Sequence, residues 1–158
     1  MISQESIKES VNKEFSDVEV RFDLDNRVSV IVQPNQVVDV ANYLKHEMGF
    51  VHPNMCTGID RKDSMEVLWH IGNPETNILV VLRASLDRDS PKVSSLTNVW
   101  KGFDWHEREA YDMLGIDFLD HPDLRRILMP EGWEGYPLRE DYIYRKPNYR
   151  KLEDQEEN

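Results

Sequence analysis

The longest unbroken apolar run in the sequence, Ile78-Leu79-Val80-Val81-Leu82, is five residues long. A bilayer-spanning helix needs about twenty such residues, so this run crosses no membrane. Followed to Leu86, the stretch stays apolar at nearly every position until Arg83, which reads as a central strand covered on both sides. A central strand needs neighbours, and the flanking sequence supplies them. Val18, Val20, Phe22 and Leu24 alternate with Glu19, Arg21 and Asp23, and after a tight turn at Asp25-Asn26 the alternation resumes at Val28, Val30 and Val32. Met65, Val67, Trp69 and Ile71 form the apolar set of another strand, and Phe50 to Gly58 is a weaker extended segment. Helical spacing appears twice: Ile7, Val11 and Phe15 behind a Ser3 N-cap, and Val37, Ala41, Leu44 and Met48 before a terminating Gly49. The order is helix, two strands, helix, about three strands, helix. It predicts an α+β domain, with a mainly antiparallel sheet, helices on one face, and an extended C-terminal segment behind it. The division expected is a core domain over residues 1–121 and an extended partner-docking tail over residues 122–158.

At 158 residues there is room for one such domain, which buries roughly 70% of its unfolded surface. Nineteen basic residues against thirty acidic ones leave a net charge of −11, the wrong sign for nucleic acid or an anionic membrane. The single cysteine, Cys56, excludes an internal disulfide, a thiolate zinc site and a self-contained iron–sulfur cluster. Met1-Ile2-Ser3-Gln4-Glu5 lacks the basic and apolar regions of a signal peptide, so the chain is expected to stay in the compartment where it is made.

Chemistry-bearing residues gather late in the chain. Asp104-Trp105-His106-Glu107 reads as a helix start, with Asp104 as N-cap and Glu107 closing a capping box, and Gly115 stands where the helix would stop. Glu107, Arg108, Glu109 and Asp112 then share a short helix, with Arg108 and Asp112 spaced for an ordinary i, i+4 ion pair. A zinc-protease helix would need a second histidine four residues after His106, and that position is Ala110. His70 and His121 stand alone, and no glycine pattern forms a phosphate loop. Arg125-Arg126 sits inside an apolar, proline-bounded segment. Its guanidiniums suit either a partner's carboxylates or internal pairing with Asp117, Asp120 or Asp123, and the local sequence does not choose. From Pro122 to Pro147, prolines and glycines forbid a long regular element, yet Trp133, Tyr136, Leu138 and Tyr142 offer large apolar surface. The segment from Pro130 onward is therefore expected to be mobile in the free chain and ordered against a neighbour, with Glu153 to Asn158 solvated throughout.

The stretch Glu107-Arg-Glu-Ala-Tyr-Asp-Met-Leu-Gly-Ile-Asp-Phe-Leu-Asp-His-Pro-Asp-Leu-Arg-Arg-Ile-Leu128 closely resembles the signature of the 30-kDa subunit of respiratory complex I. That is the C subunit of the bacterial NADH–quinone oxidoreductase and the J subunit of the cyanobacterial and chloroplast complex. Pro130-Glu-Gly-Trp-Glu-Gly-Tyr-Pro-Leu-Arg-Glu-Asp-Tyr142 resembles the family's next stretch. Two positions depart from it: Leu114 stands where many members carry an aromatic, and Glu140 stands where a lysine is usual, a charge reversal. The resemblance implies a non-catalytic scaffold subunit of the hydrophilic arm of an ion-translocating complex, with no cofactor of its own. NADH, FMN, iron–sulfur clusters and quinone are implied for the whole complex. The implied partners are the 49-kDa quinone-reducing subunit and neighbouring cluster-bearing subunits. The implied place is peripheral, on the cytoplasmic side of the cell membrane, without direct insertion. Carried onto this sequence, the partner-binding candidates are Glu107, Arg108, Glu109, Asp112, His121, Arg125, Arg126, Pro130, Trp133, Tyr136, Pro137, Leu138, Arg139, Asp141 and Tyr142. The same subunit in an F420H2 dehydrogenase or a membrane-bound hydrogenase is the alternative. A stand-alone hydrolase using the Glu107–Asp112 carboxylates is the rival from a different class.

Overall fold

A computed structural model describes residues 2–24 and 26–144. Residue 25 of the expected turn, Pro147 and the stretch from Glu153 to Asn158 lie outside the described residues. The first helix, α1 (Gln4–Glu14), opens on Ser3, whose hydroxyl accepts the Ser6 N–H at 3.2 Å, while the Ser6 hydroxyl accepts the Ser3 N–H at 2.8 Å. Strands β1 (Glu19–Leu24) and β2 (Arg27–Val32) precede α2 (Val37–His46), and β3 (His52–Asp60), β4 (Ser64–Asn73) and β5 (Ile78–Asp87) follow it. The chain then forms β6 (Lys92–Ser94), α3 (Asp104–Leu114) and β7 (Asp117–Leu119) before the extended segment.

The five long strands form one sheet in the order β1-β2-β5-β4-β3. Three of its pairings are antiparallel and the β2–β5 pairing is parallel, because α2 and the β3–β4 hairpin intervene before the chain returns beside β2. The three-residue strands β6 and β7 pair in parallel as a separate ribbon. They are too short to show a hydrophobic period.

Register shows how the core is assembled. Val20, Val30, Leu82, Trp69 and Cys56 form one row across all five strands, and every member is buried. Ile7 and Val11 of α1, Val40 and Leu44 of α2, and Ala110 and Leu114 of α3 pack into that same cluster, so these three helices cover one face. This corrects the reading of β5 as covered on both sides. Val81, on its other face, is 3% exposed yet stands outside the helix-side core. Gly58 brings α3 close to β3: a Cβ there would lie 2.5 Å from Leu114 and 2.7 Å from Ile116.

Candidate functional site

Helix α3 is the organising element of the late motif, but it does not start as its sequence suggests. A 3-10 turn, Lys101–Phe103, runs directly into it, and the Asp104 N–H is already donated to the Lys101 carbonyl. With that donor used, Glu107 has nothing to cap, and the capping box does not form. The Glu107 side chain turns inward instead and is wholly buried. Its Oε1 accepts the Trp69 indole N–H at 3.0 Å and the Leu96 N–H at 2.9 Å, and its Oε2 accepts the Ser95 hydroxyl at 2.5 Å. Burial raises its pKa, and these three hydrogen bonds oppose the rise. One carboxylate thus ties β4, the loop after β6, and α3 together.

Arg108 and Asp112 do not pair with each other. The Arg108 Nε donates to the Arg125 carbonyl at 3.2 Å, its guanidinium lies 3.8 Å from Asp123, and it stacks over Trp105 at 4.9 Å. Asp112 Oδ2 accepts three consecutive amides, those of Ile127 at 3.0 Å, Leu128 at 2.7 Å and Met129 at 2.9 Å. Its Oδ1 accepts Arg126 Nη1 at 2.8 Å. Burial alone would raise the Asp112 pKa, but the three amides and Arg126 outweigh it and hold the carboxyl below the usual range. Arg108 and Asp112 are therefore tethers, and what they hold is the chain that follows.

That chain is gripped along its length. His121, whose side chain is fully enclosed, accepts the Asp123 N–H at Nδ1 (3.1 Å), so Nε2 carries the hydrogen that reaches the Asp104 carbonyl at 3.2 Å. The paired arginines separate in role: Arg125 is exposed and meets Asp123 at 2.9 Å, whereas Arg126 joins Asp112 to the Gly135 carbonyl. The Pro130 carbonyl accepts the Trp133 N–H at 3.1 Å. Tyr136 sits between the guanidiniums of Arg126 and Arg139, at 5.3 and 5.0 Å, with its ring against Gly115. Gly115 ends α3 at φ +73°, and no Cβ would fit beside that ring. Pro137 precedes the contacts that close the helix end: Leu138 N–H to the Met113 carbonyl at 3.0 Å, and Arg139 Nε to the Leu114 carbonyl at 2.7 Å. Tyr142 lies against Gly135, and its N–H reaches the Arg139 carbonyl at 3.1 Å.

Sequence reasoning missed the far anchor. Arg88 pairs with Asp60 at 2.8 Å and with Asp141 at 3.0 Å, while Asp60 also accepts the Glu140 N–H at 3.0 Å. The Arg88 guanidinium, against the opposing effect of burial, holds Asp60 far below the ordinary carboxylate range. Only the inverted charge at Glu140 hinted at this corner, and it falls 3.6 Å from Lys62, a cation of the right sign. The segment expected to need a neighbour thus finds partners on its own domain up to Asp141. Outward it presents Leu128 and Leu138, each more than half exposed, among the exposed charges of Asp123, Arg125, Glu131, Glu134, Glu140 and Asp141, and Trp105 of α3 is exposed as well.

Glu109 is exposed and borders a shallow cleft with Cys56, His106 and Leu138. The cleft offers about 30 Å³, room for a water or two rather than a substrate. Burial pushes the Cys56 thiol well above its ordinary pKa, which makes it a poor nucleophile. The arrangement braces and presents a surface. The carboxylates of Glu107 and Asp112 are engaged by protein donors at both oxygens, an arrangement for bracing rather than for acid–base work.

The family described as the respiratory-chain NADH dehydrogenase 30-kDa subunit matches residues 30–148. The C subunit of the NADH-quinone oxidoreductase of Roseiflexus sp. (strain RS-1) is 43% identical over 121 residues, covering 72% of this chain and 68% of that one. The C subunit of the F(420)H(2) dehydrogenase of Methanosarcina mazei is 34% identical over 119 residues, covering 73% and 75%. Among solved structures, a chain of the membrane-bound sulfane sulfur reductase, an archaeal respiratory membrane complex, superposes with a TM-score of 0.78 at 18% identity, over 98% of this chain and 91% of that one. A trypsin-resistant fragment of Nqo5 superposes with a TM-score of 0.66 at 21% identity, over 76% and 98%. At those identities the two structures speak for the fold.

Proposed function

The chain belongs to the family of the respiratory-chain NADH dehydrogenase 30-kDa subunit, and from that membership we propose that it is a non-catalytic scaffold subunit of the hydrophilic arm of a complex I-type NADH–quinone oxidoreductase. The observation that carries the reading is the saturation of Glu107, Arg108 and Asp112 by this chain's own groups. Glu107 locks the short helix to the sheet, and Arg108 and Asp112 fix an extended segment on which Leu128 and Leu138 stand exposed among charged residues. The partner we assign to that segment is the 49-kDa-type subunit, with cluster-bearing subunits beside it. NADH, FMN, the iron–sulfur clusters and quinone belong to those other subunits. No helix among the described residues is long and apolar enough to cross a membrane. The subunit's place would be peripheral, held at the cytoplasmic side by its partners.

The Methanosarcina relative favours a second reading, in which the same scaffold serves a complex with another electron donor. Both readings place the chain on the same kind of partner. Purification of a tagged copy from its native host, with identification of what travels with it, tests the first claim. A stoichiometric 49-kDa-type subunit is the expected companion, and flavin-module subunits in the same particle favour NADH as donor. A chain that elutes alone, or that turns over generic esters, would end the proposal.

A further inference from the structure

Glu109 is the one charged residue of the Glu107–Asp112 run that the bracing does not use. It stands exposed beside the shallow cleft between α3 and β3. One wall of that cleft is apolar: Ala110, Met113 and Leu114 from α3, with Leu138, 61% exposed, from the extended segment. Cys56, Thr57 and Gly58 of β3 line the other side. The arginines around α3 are engaged elsewhere, Arg108 and Arg125 with Asp123, Arg126 with Asp112, and Arg139 with the Leu114 carbonyl, and none of these pairs with Glu109.

The polar side chains that line the cleft with Glu109 are left as acceptors. His106 Nδ1 lies 3.2 Å from the Gly102 carbonyl, which only accepts, so Nδ1 carries the hydrogen and Nε2 of the neutral ring keeps a lone pair. The Thr57 hydroxyl donates to the Gly58 carbonyl at 3.4 Å and keeps its own lone pairs. Burial, then Glu107 and Glu109, raise the pKa of the Cys56 thiol on the cleft wall, so the charge that reaches that wall is negative. A carboxylate with acceptors beside it selects a group that donates and does not accept. The cleft has room for a water or two, which suits a compact ammonium better than a planar guanidinium.

We propose that this cleft is a socket for one lysine of the partner protein docked on the extended segment, its methylene stem along Leu138 and Met113 and its ammonium at Glu109. The inference rests on the scaffold reading, since it needs an assembled complex. A lysine stem covers apolar surface while its ammonium stays among polar groups, and the cleft offers both. A metal ion fits less well, because no group of three His, Cys, Asp or Glu among the described residues is placed to hold one. A phosphate backbone or an anionic lipid would bring acceptors to acceptors. A second copy docked two-fold about the cleft would do the same. Two copies of net charge −11 also repel, and a head-to-tail contact between them leaves an open chain unless its rotation closes a ring.

The test uses the complex as purified from cells. A carbodiimide condenses a carboxylate with an amine in contact with it, and mass spectrometry of the digest identifies both peptides. The expected product joins Glu109 to one lysine of another subunit. Glu109→Lys should then lower incorporation about tenfold or more in competition with the wild-type chain. Replacing the crosslinked lysine by glutamate should restore it. Should Glu109→Lys fail to fold, the crosslink, made on the wild-type chain, decides alone. A product joining Glu109 to any lysine of this chain's own sequence, in the same or a second copy, would overturn the inference and leave the scaffold reading standing. So would no product at Glu109 in an intact complex, or wild-type incorporation of Glu109→Lys. Failure to recover any complex would remove both.

Discussion

Asp112→Asn is the sharpest perturbation of the tether. The side chain keeps its shape and loses its charge. In the native chain Oδ2 receives three amides between 2.7 and 3.0 Å and Oδ1 receives Arg126 at 2.8 Å. An asparagine can turn its oxygen to the amides or to Arg126, and its NH2 then faces donors on the other side. A hydrogen bond to a charged acceptor contributes about 1.5–3 kcal/mol against about 1 for a neutral one, so removing the charge from four such bonds costs roughly 2–8 kcal/mol before water compensates. The amide-bearing residues are partly exposed, Leu128 by 56%, and water replaces part of the loss. The expected cost is about 2–3 kcal/mol, read from urea unfolding at neutral pH. Amide exchange should accelerate at Ile127, Leu128 and Met129 well before the core opens. The substitution should also flatten the acid limb of the stability profile. A carboxyl held below its unfolded value contributes stability above that value, about pH 4, and loses it as pH falls through the folded pKa. A loss under about 0.5 kcal/mol with unchanged exchange at those three amides would refute the tether; that is the scale expected for Glu109→Gln on the exposed side of the same helix.

Glu107 carries the opposite sign. Its pKa is raised, so its contribution is fully present below the unfolded value and fades as pH rises through the folded one. Glu107→Gln should therefore match or exceed the wild type at pH 7, since the amide can still accept from Trp69 and Leu96 and donate to Ser95. Glu107→Ala, which orphans two buried donors, should cost about 2–5 kcal/mol in the same unfolding assay. Gly115→Ala meets both a φ of +73° and the Tyr136 ring, and should cost about 2–3 kcal/mol with faster exchange at Leu138 and Arg139. Arg88→Ala leaves Asp60, 2% exposed, without its counter-ion; the loss should be about 3 kcal/mol, with exchange at Glu140 released first.

How much of this was legible depended on whether the cause was local. The alternation of Val18 to Leu24 and of Met65 to Ile71 declared strands because one face of each is wet. Ser3 declared a helix start because its hydroxyl serves an amide three residues on. Glu107 looked equally local and was not. The preceding 3-10 turn had already used the Asp104 N–H, and the carboxylate followed donors from β4 and the Ser95-Leu96 loop. Arg108 and Asp112 had the spacing of an ion pair, yet each found a better partner in a segment more than ten residues away, where consecutive amides converge. Arg125 and Arg126 are chemically identical in sequence. Only the path of the backbone over α3 decides that one faces solvent and the other Asp112. The Asp60–Arg88–Asp141 corner joins three distant parts of the chain, and the inverted charge at Glu140 was its one trace in the sequence.

The central claim is that this subunit braces and docks and does not react. The measurement that tests it most directly is quinone reduction per assembled particle in cells carrying Asp112→Asn or Glu109→Gln, with the amount of complex quantified on native gels. Activity per particle should stay at the wild-type value in both, while Asp112→Asn lowers the number of particles. A full complement of intact particles, normal in cluster content and unable to reduce quinone, would contradict it.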